Sequence, residues 1–156
     1  MKNSILPALV AGAALAAPVT ATAENSDTSA IRQLLSSYET ALNAQDTDTI
    51  VALYADDGVF MPQHSLPQVG RDNIRLAYQR VFAAITLDVR FEIDEVRLLS
   101  EDWAFVRTRS NGSVKINATG DGGPEANQEL FLLQRAGDGN WKFARYIFST
   151  TNPPRG

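Results

Sequence analysis

Two adjacent carboxylates, a lone histidine, a strand-borne glutamate and a pair of arginines are the side chains here whose types and spacing could do chemistry. Asp56 and Asp57 precede an apolar run in "YADDGVFMPQH", and His64, the single histidine of the chain, follows it. A carboxylate or an imidazole beside apolar surface suits general acid or base work, the imidazole because its ordinary pKa lies near 6.5. A plainer reading stands beside each. Short acids at a helix-to-strand corner bond local backbone, which is the expected role of Asp56. A histidine in a loop is often just solvated. Arg107 and Arg109 continue the strand face of Trp103 and Phe105, where two guanidinium groups could clamp a carboxylate or lie on an exposed or interfacial surface. Glu129 alternates with Phe131 and Leu133, placing its carboxyl towards an interior, although Leu130 and Leu132 make the opposite face apolar too. It is either a pocket acid with a raised pKa or the partner of Arg107 or Arg109 in an internal ion pair.

Composition narrows the function classes. Residues 1–23 read as a secretory signal: Lys2, then "ILPALVAGAALAAPV", then "ATA" ahead of a cut after Ala23. The apolar stretch is too short and Ala-rich for a good membrane span. The domain is then 24–156, periplasmic or secreted, with no membrane attachment after cleavage. Of 14 basic residues Lys2 leaves with the signal while all 18 acidic ones stay, so the mature chain is more acidic than the net −4 of the whole. No basic cluster is present, which argues against nucleic acid as a partner. Cysteine is absent and histidine single, so thiol chemistry and Cys- or multi-His metal sites are excluded. No Gly-rich dinucleotide loop or flavin motif occurs; no cofactor and no metal is expected. Asn111-Gly112-Ser113 and Asn117-Ala118-Thr119 match the glycosylation sequon.

The elements that must position these residues follow from periodicity. Ile31, Leu34, Leu35, Tyr38 and Leu42 recur at helical spacing, with Ser26, Asp27 and Thr28 as candidate caps. Asp46 opens a short second helix through Tyr54 that Gly58 ends, and "VFMP" is a short strand. Gly70-Arg71-Asp72 starts a third helix with Ile74, Ala77, Tyr78, Val81 and Ile85 on one face. From Leu87 the period becomes two; the apolar phase slips at Asp94-Glu95, which predicts a β-bulge. Strands are expected near 102–110, 113–118, 126–135 and 140–149, with "RAGDGNW" as a hairpin turn. Three helices followed by a long, curved, mostly antiparallel sheet make an α+β cone, helices in the concavity, with an apolar interior suited to a small molecule.

This order, with "YETALNAQDTDTIVALYADDGVF" (38–60), "GRDNIRLAYQRVF" (70–82) and "ELFLLQRAGDGNWKFARYIFSTTNPP" (129–154), resembles the SnoaL-like, ketosteroid isomerase-like branch of the nuclear transport factor 2-like superfamily. The resemblance covers nearly all of 24–156. It implies a cystatin-like cone, an apolar pocket and a homodimer formed through the sheet. The last segment is similar to small, often exported members without a defined reaction.

In ketosteroid isomerases a tyrosine and a protonated carboxylic acid hold the developing enolate oxygen while an aspartate moves the proton, a worked case of pKa tuning. By resemblance Tyr38 stands at the tyrosine, Glu129 at the strand acid, and Pro62 at the base, where no proton can be carried. His64, two positions on, is the candidate replacement, giving Tyr38, Glu129 and His64 as the catalytic set. The pocket wall is assigned to Tyr54, Phe60, Met61, Tyr78, Phe82, Phe131, Tyr146 and Phe148, with Leu66 as a further lining or core residue. On the last strand Ala144, Tyr146 and Phe148 are expected to face the cavity, and Phe143, Arg145 and Ile147 the dimer side. Two functions stay open: a cofactor-independent isomerase, cyclase or dehydratase acting through an enol, or a non-catalytic binding or interaction domain. For the enzyme and the ligand-binding domain the partner is a small apolar or amphipathic molecule; for the dimeric interaction domain it is a protein.

Overall fold

The protein was analysed as a computed structural model that describes residues 25–153; the expected signal and its cleavage site lie outside the described residues. The chain runs α1 (Ser26–Asn43), α2 (Thr47–Ala52), β1 (Tyr54–Met61), β2 (Gln68–Val69), α3 (Arg71–Ala84), β3 (Ile85–Leu98), β4 (Trp103–Ile116), β5 (Gly122–Arg135) and β6 (Trp141–Thr150). Three helices pack on one face of a curved, open, six-stranded α+β sheet ordered β2-β1-β6-β5-β4-β3. All its pairs are antiparallel except β1 with β6. Among the described residues no helix is long and apolar enough to cross a membrane.

Local chemistry explains the starts and stops. The Asn25 side chain, rather than the three residues after it, caps α1 by accepting from the Asp27 amide. Asp46 caps α2 through the Thr49 amide. That helix ends before Tyr54, which opens β1 with its ring fully buried, so strand begins four residues ahead of Gly58. Burial of a large ring on the inner face outweighs the helical spacing that linked Ile50, Leu53 and Tyr54.

β3 is an edge strand, and α1 covers part of its free edge. Asn43 forms a two-way pair with the Val89 backbone, donating to its carbonyl at 2.8 Å and accepting from its amide at 2.9 Å. Glu39 accepts from the Phe91 amide at 2.7 Å. These bonds satisfy backbone groups that an exposed edge would offer to another chain. Asp94 is the extra residue of the predicted bulge, because the register passes from Ile93 opposite Thr108 to Glu95 opposite Arg107.

β4 is one continuous strand where two were expected, and β5 begins within "GDGGP". Gly112 lets β4 pass its neighbour: a Cβ there would lie 2.0 Å from the Asp88 carbonyl oxygen. A second bulge, at Ala144, shifts the β5–β6 register between Leu132 and Leu133. It turns Phe143 inward, against Tyr38, Tyr54 and Phe131, instead of towards the outer face.

Candidate functional site

Inward residues of β3 to β6, with α1, β1 and α3, enclose a cavity of about 200 Å³. Phe60 forms the centre of its aromatic wall, stacked on Tyr78 at 4.8 Å and on Tyr146 at 5.4 Å, with interplanar angles of 13° and 21°. Phe148 extends the same stack. Val81, Ile85, Leu87, Val89 and Phe91 complete the apolar lining. The walls are thus near-parallel rings and aliphatic surface, a shape that accepts a flat molecule.

All four tyrosines of the sequence meet at this core. The Tyr78 hydroxyl bonds Tyr38 at 2.8 Å and Tyr54 at 3.1 Å. Tyr38, Tyr78 and Tyr146 line the cavity, while Tyr54 lies behind them. Three hydroxyls carry three protons but share two bonds, so one proton is left over. Either partner of each bond can donate; run from Tyr54 through Tyr78, the chain leaves it on Tyr38, where the Tyr146 hydroxyl is a further neighbour at the cavity. Burial raises all four phenol pKa values well above the usual 10, so these groups stay protonated donors at neutral pH.

Register places the acid. Glu129 lies opposite Thr108 on β4 and Phe148 on β6, and diagonally from Ser110. Only 3% exposed, its carboxyl accepts from the Thr108 hydroxyl at 2.5 Å through Oε2 and from the Ser110 hydroxyl through Oε1. Burial pushes its pKa up from the ordinary value, and the two donated hydroxyls pull partly back. The expected alternative, an ion pair with Arg107 or Arg109, does not form. Those arginines occupy the opposite face of β4, where Arg109 grips Asp94 and Glu92 and Arg107 grips Asp94. The bonds from Arg109 hold the Asp94 carboxyl below its usual range.

Other predicted site residues are placed elsewhere. Asp56 and Asp57 sit in the irregular part of β1, exposed; Asp56 pairs with Arg71 at 3.1 Å instead of bonding local backbone, and Asp57 approaches Arg145. Pro62 lines the cavity, whereas His64 does not: its exposed imidazole borders a neighbouring groove that meets the cavity at Glu125, Asn127 and Phe148. Tyr54 and Phe131 are core rings behind the wall, Phe82 packs on Tyr78, and Met61 points away from the cavity. Leu66 is 82% exposed and belongs neither to the cavity lining nor to the core. Sequence reasoning missed Ser110, Glu125 and Asn127. The alternation through Glu129 carries a signal for Asn127 and Glu125, two and four residues earlier on one strand face. Among the described residues no group of three or more His, Cys, Asp or Glu side chains could hold a metal ion.

Three helices on an open, mostly antiparallel sheet around an aromatic cavity are the architecture of the nuclear transport factor 2-like class. Residues 35–144 match the SnoaL-like domain, and the chain belongs to that family. It is 40% identical to a ketosteroid isomerase-like protein from Erwinia carotovora atroseptica SCRI1043, over 83% of this chain and 99% of that one, with a TM-score of 0.80. Two more distant structures share the fold alone. One, provisionally described as a scytalone dehydratase from Novosphingobium aromaticivorans DSM 12444, is 20% identical over 81% of this chain and 85% of that one, TM-score 0.71. The other, a domain of unknown function with a cystatin-like fold from Nostoc punctiforme PCC 73102, is 17% identical over 84% and 81%, TM-score 0.68. No curated protein matches the chain.

Proposed function

We propose that this chain binds a small, flat, largely apolar molecule in the aromatic cavity and promotes an enol-type proton shift on it, of the kind used in isomerisation, cyclisation or dehydration. The observation that carries this is the hydroxyl chain from Tyr54 through Tyr78 to Tyr38, which lines the same small, mostly apolar cavity as the buried Glu129 carboxyl. A ligand carbonyl at Tyr38 would accept its hydroxyl, and the negative charge developing on that oxygen would be stabilised by a donor fixed in advance. Pro62 supplies no base, and Glu129 takes that role. Its carboxylate removes a proton from the carbon next to the carbonyl, and the C–H electron pair forms the enolate double bond. The proton then returns from Glu129 to the ligand. A raised pKa makes Glu129 a stronger base than an exposed glutamate once ionised. The cavity meets an adjoining groove at Glu125, Asn127 and Phe148, and that edge is the route by which solvent would exchange the proton.

The reading includes export, with cleavage after Ala23, and a homodimer formed through the outer sheet face. Supporting the dimer, Leu130 and Ile147 stand 43% and 46% exposed there, beside Arg107 and Arg109. Light scattering and the mass of the exported protein test these two points.

The function itself is tested with 2-tetralone in deuterated buffer. The protein should accelerate deuterium uptake next to the carbonyl, and Glu129→Gln should abolish the acceleration while 2-naphthol still binds. Binding without exchange would leave a carrier domain and remove the enzyme. No binding of either compound would remove the pocket function.

A further inference from the structure

One corner of the cavity is polar, and its polarity is one-sided. Asn127 and Ser110 face each other across the β4–β5 register, with Glu125 and Glu129 two residues to either side of Asn127 on the same strand face. All four line the cavity. The Asn127 amide nitrogen donates to Glu125 Oε1 at 2.9 Å and to the Ser110 hydroxyl at 3.4 Å; that hydroxyl in turn donates to Glu129. These bonds fix the orientation of the amide, since the reverse setting would turn its carbonyl oxygen against the Glu125 carboxylate. The Asn127 Oδ1 atom is therefore an acceptor. It is buried and finds no hydrogen-bond donor among the described residues. A buried carbonyl oxygen without a donor is costly, and such groups in folded proteins are nearly always satisfied. The amide and hydroxyl protons of Asn127 and Ser110 are already committed to neighbours, while acceptor capacity is left over at Asn127 Oδ1.

We propose that this corner is an acceptor subsite that selects ligands carrying a hydroxyl or amino donor at one end, with Asn127 as the specificity-determining residue. The inference rests on the cavity being a ligand site. Its ligand class is an aryl or alicyclic alcohol or amine with a flat apolar body: the body lies along Phe60 and Phe148, and the O–H or N–H is donated to Asn127 Oδ1. The small cavity sets an upper size, since pockets for drug-sized ligands run from roughly 300 Å³ upwards. A one- or two-ring molecule fits that limit. A carbonyl or carboxylate oxygen placed against Asn127 Oδ1 itself would set acceptor against acceptor and would be rejected there.

The test compares 2-naphthol with naphthalene and 2-methoxynaphthalene, which keep the flat body and lose the donor, by fluorescence titration of the purified protein. Wild type should bind 2-naphthol at least about tenfold more tightly than either analogue, the size expected when a buried acceptor is left unpaired. In Asn127→Leu the preference should fall to about twofold or less. As a readout free of any substitution, 2-naphthol should shift the Asn127 side-chain amide resonances of the wild-type protein and naphthalene should not. Equal binding of the three compounds to wild type would overturn the subsite and leave the pocket standing. So would a preference surviving in folded Asn127→Leu, or Asn127 resonances indifferent to 2-naphthol. Failure of all three compounds to bind would overturn the pocket reading, and the subsite with it.

Discussion

Thr108 and Glu129 face each other across the β4–β5 register, and the threonine hydroxyl donates to the glutamate carboxyl at 2.5 Å. Two opposed effects meet in this pair. Burial favours the neutral acid, while the hydroxyls of Thr108 and Ser110 favour the carboxylate; burial is the larger, and the pKa is raised. Thr108→Val keeps the shape and removes one donor. The Glu129 pKa, followed by carboxyl-carbon NMR, should rise by a further one unit or so, since a bond to a charged group is worth about 1.5–3 kcal/mol. An unchanged or lower pKa would mean that the hydroxyl does not donate.

The same raised pKa makes stability pH-dependent with a definite sign. The folded protein holds the Glu129 proton more tightly than the unfolded chain, whose glutamate titrates near 4.5. The stabilisation is complete below that value and is lost as pH rises through the folded pKa. Glu129→Gln removes the ionisation. Its melting temperature relative to wild type should therefore climb between about pH 4 and the pH at which Glu129 titrates, then level off. A constant difference across that range would place the carboxyl in an ordinary environment.

The tyrosines offer a second titration. All four have pKa values raised by burial, so absorbance at 295 nm should stay flat past pH 10 while the protein is folded. Because the folded pKa values exceed the unfolded one, stability is fully present below about pH 10 and falls above it. All four phenols should then ionise together with loss of the near-UV dichroism. A separate early rise worth one tyrosine would show one hydroxyl open to solvent.

Gly112 is a test of the sheet. Its missing Cβ would lie 2.0 Å from the Asp88 carbonyl oxygen and 2.7 Å from the Val89 Cα, both backbone atoms that side-chain rotation cannot move. Gly112→Ala must separate β3 from β4 at the strand that α1 grips through Asn43. Urea unfolding should show a loss of about 3 kcal/mol or more, in the range reserved for broken backbone geometry. A loss under about 1 kcal/mol would mean that the strands separate easily there.

Where the sequence was legible, one strong local rule acted alone. The phase slip at Asp94 located the bulge because alternation between Phe91 and Leu98 has a single explanation. Glu129 was placed inward by the same alternation. The second bulge, at Ala144, left no such trace: Phe143, Arg145 and Ile147 alternate cleanly against Ala144, Tyr146 and Phe148, and the inward turn of Phe143 arises from packing against Tyr38 and Tyr54. Tyr54 and Phe131 were assigned to the cavity wall because ring type tells burial from exposure, not first layer from second. Ser110 and Asn127 stayed hidden because a hydroxyl and an amide on a strand look solvated until register sets them opposite each other.

His64 drew attention by type and by nearness in sequence to Pro62, yet sequence separation is a poor guide at a loop. Its backbone takes a left-handed turn with φ of 60°, and the imidazole lies in the outer groove beside Gln63, not against the aromatic wall. A side chain that touches no bound molecule alters its affinity little. His64→Ala should change 2-naphthol affinity by no more than about twofold, the scale of an exposed substitution. Replacing a wall residue by Phe148→Ala, which removes a ring from the stack on Phe60, should cost tenfold or more. Should His64→Ala instead weaken binding as much as Phe148→Ala, the ligand must extend from the cavity into the groove, and the imidazole would join Tyr38 and Glu129 at the site.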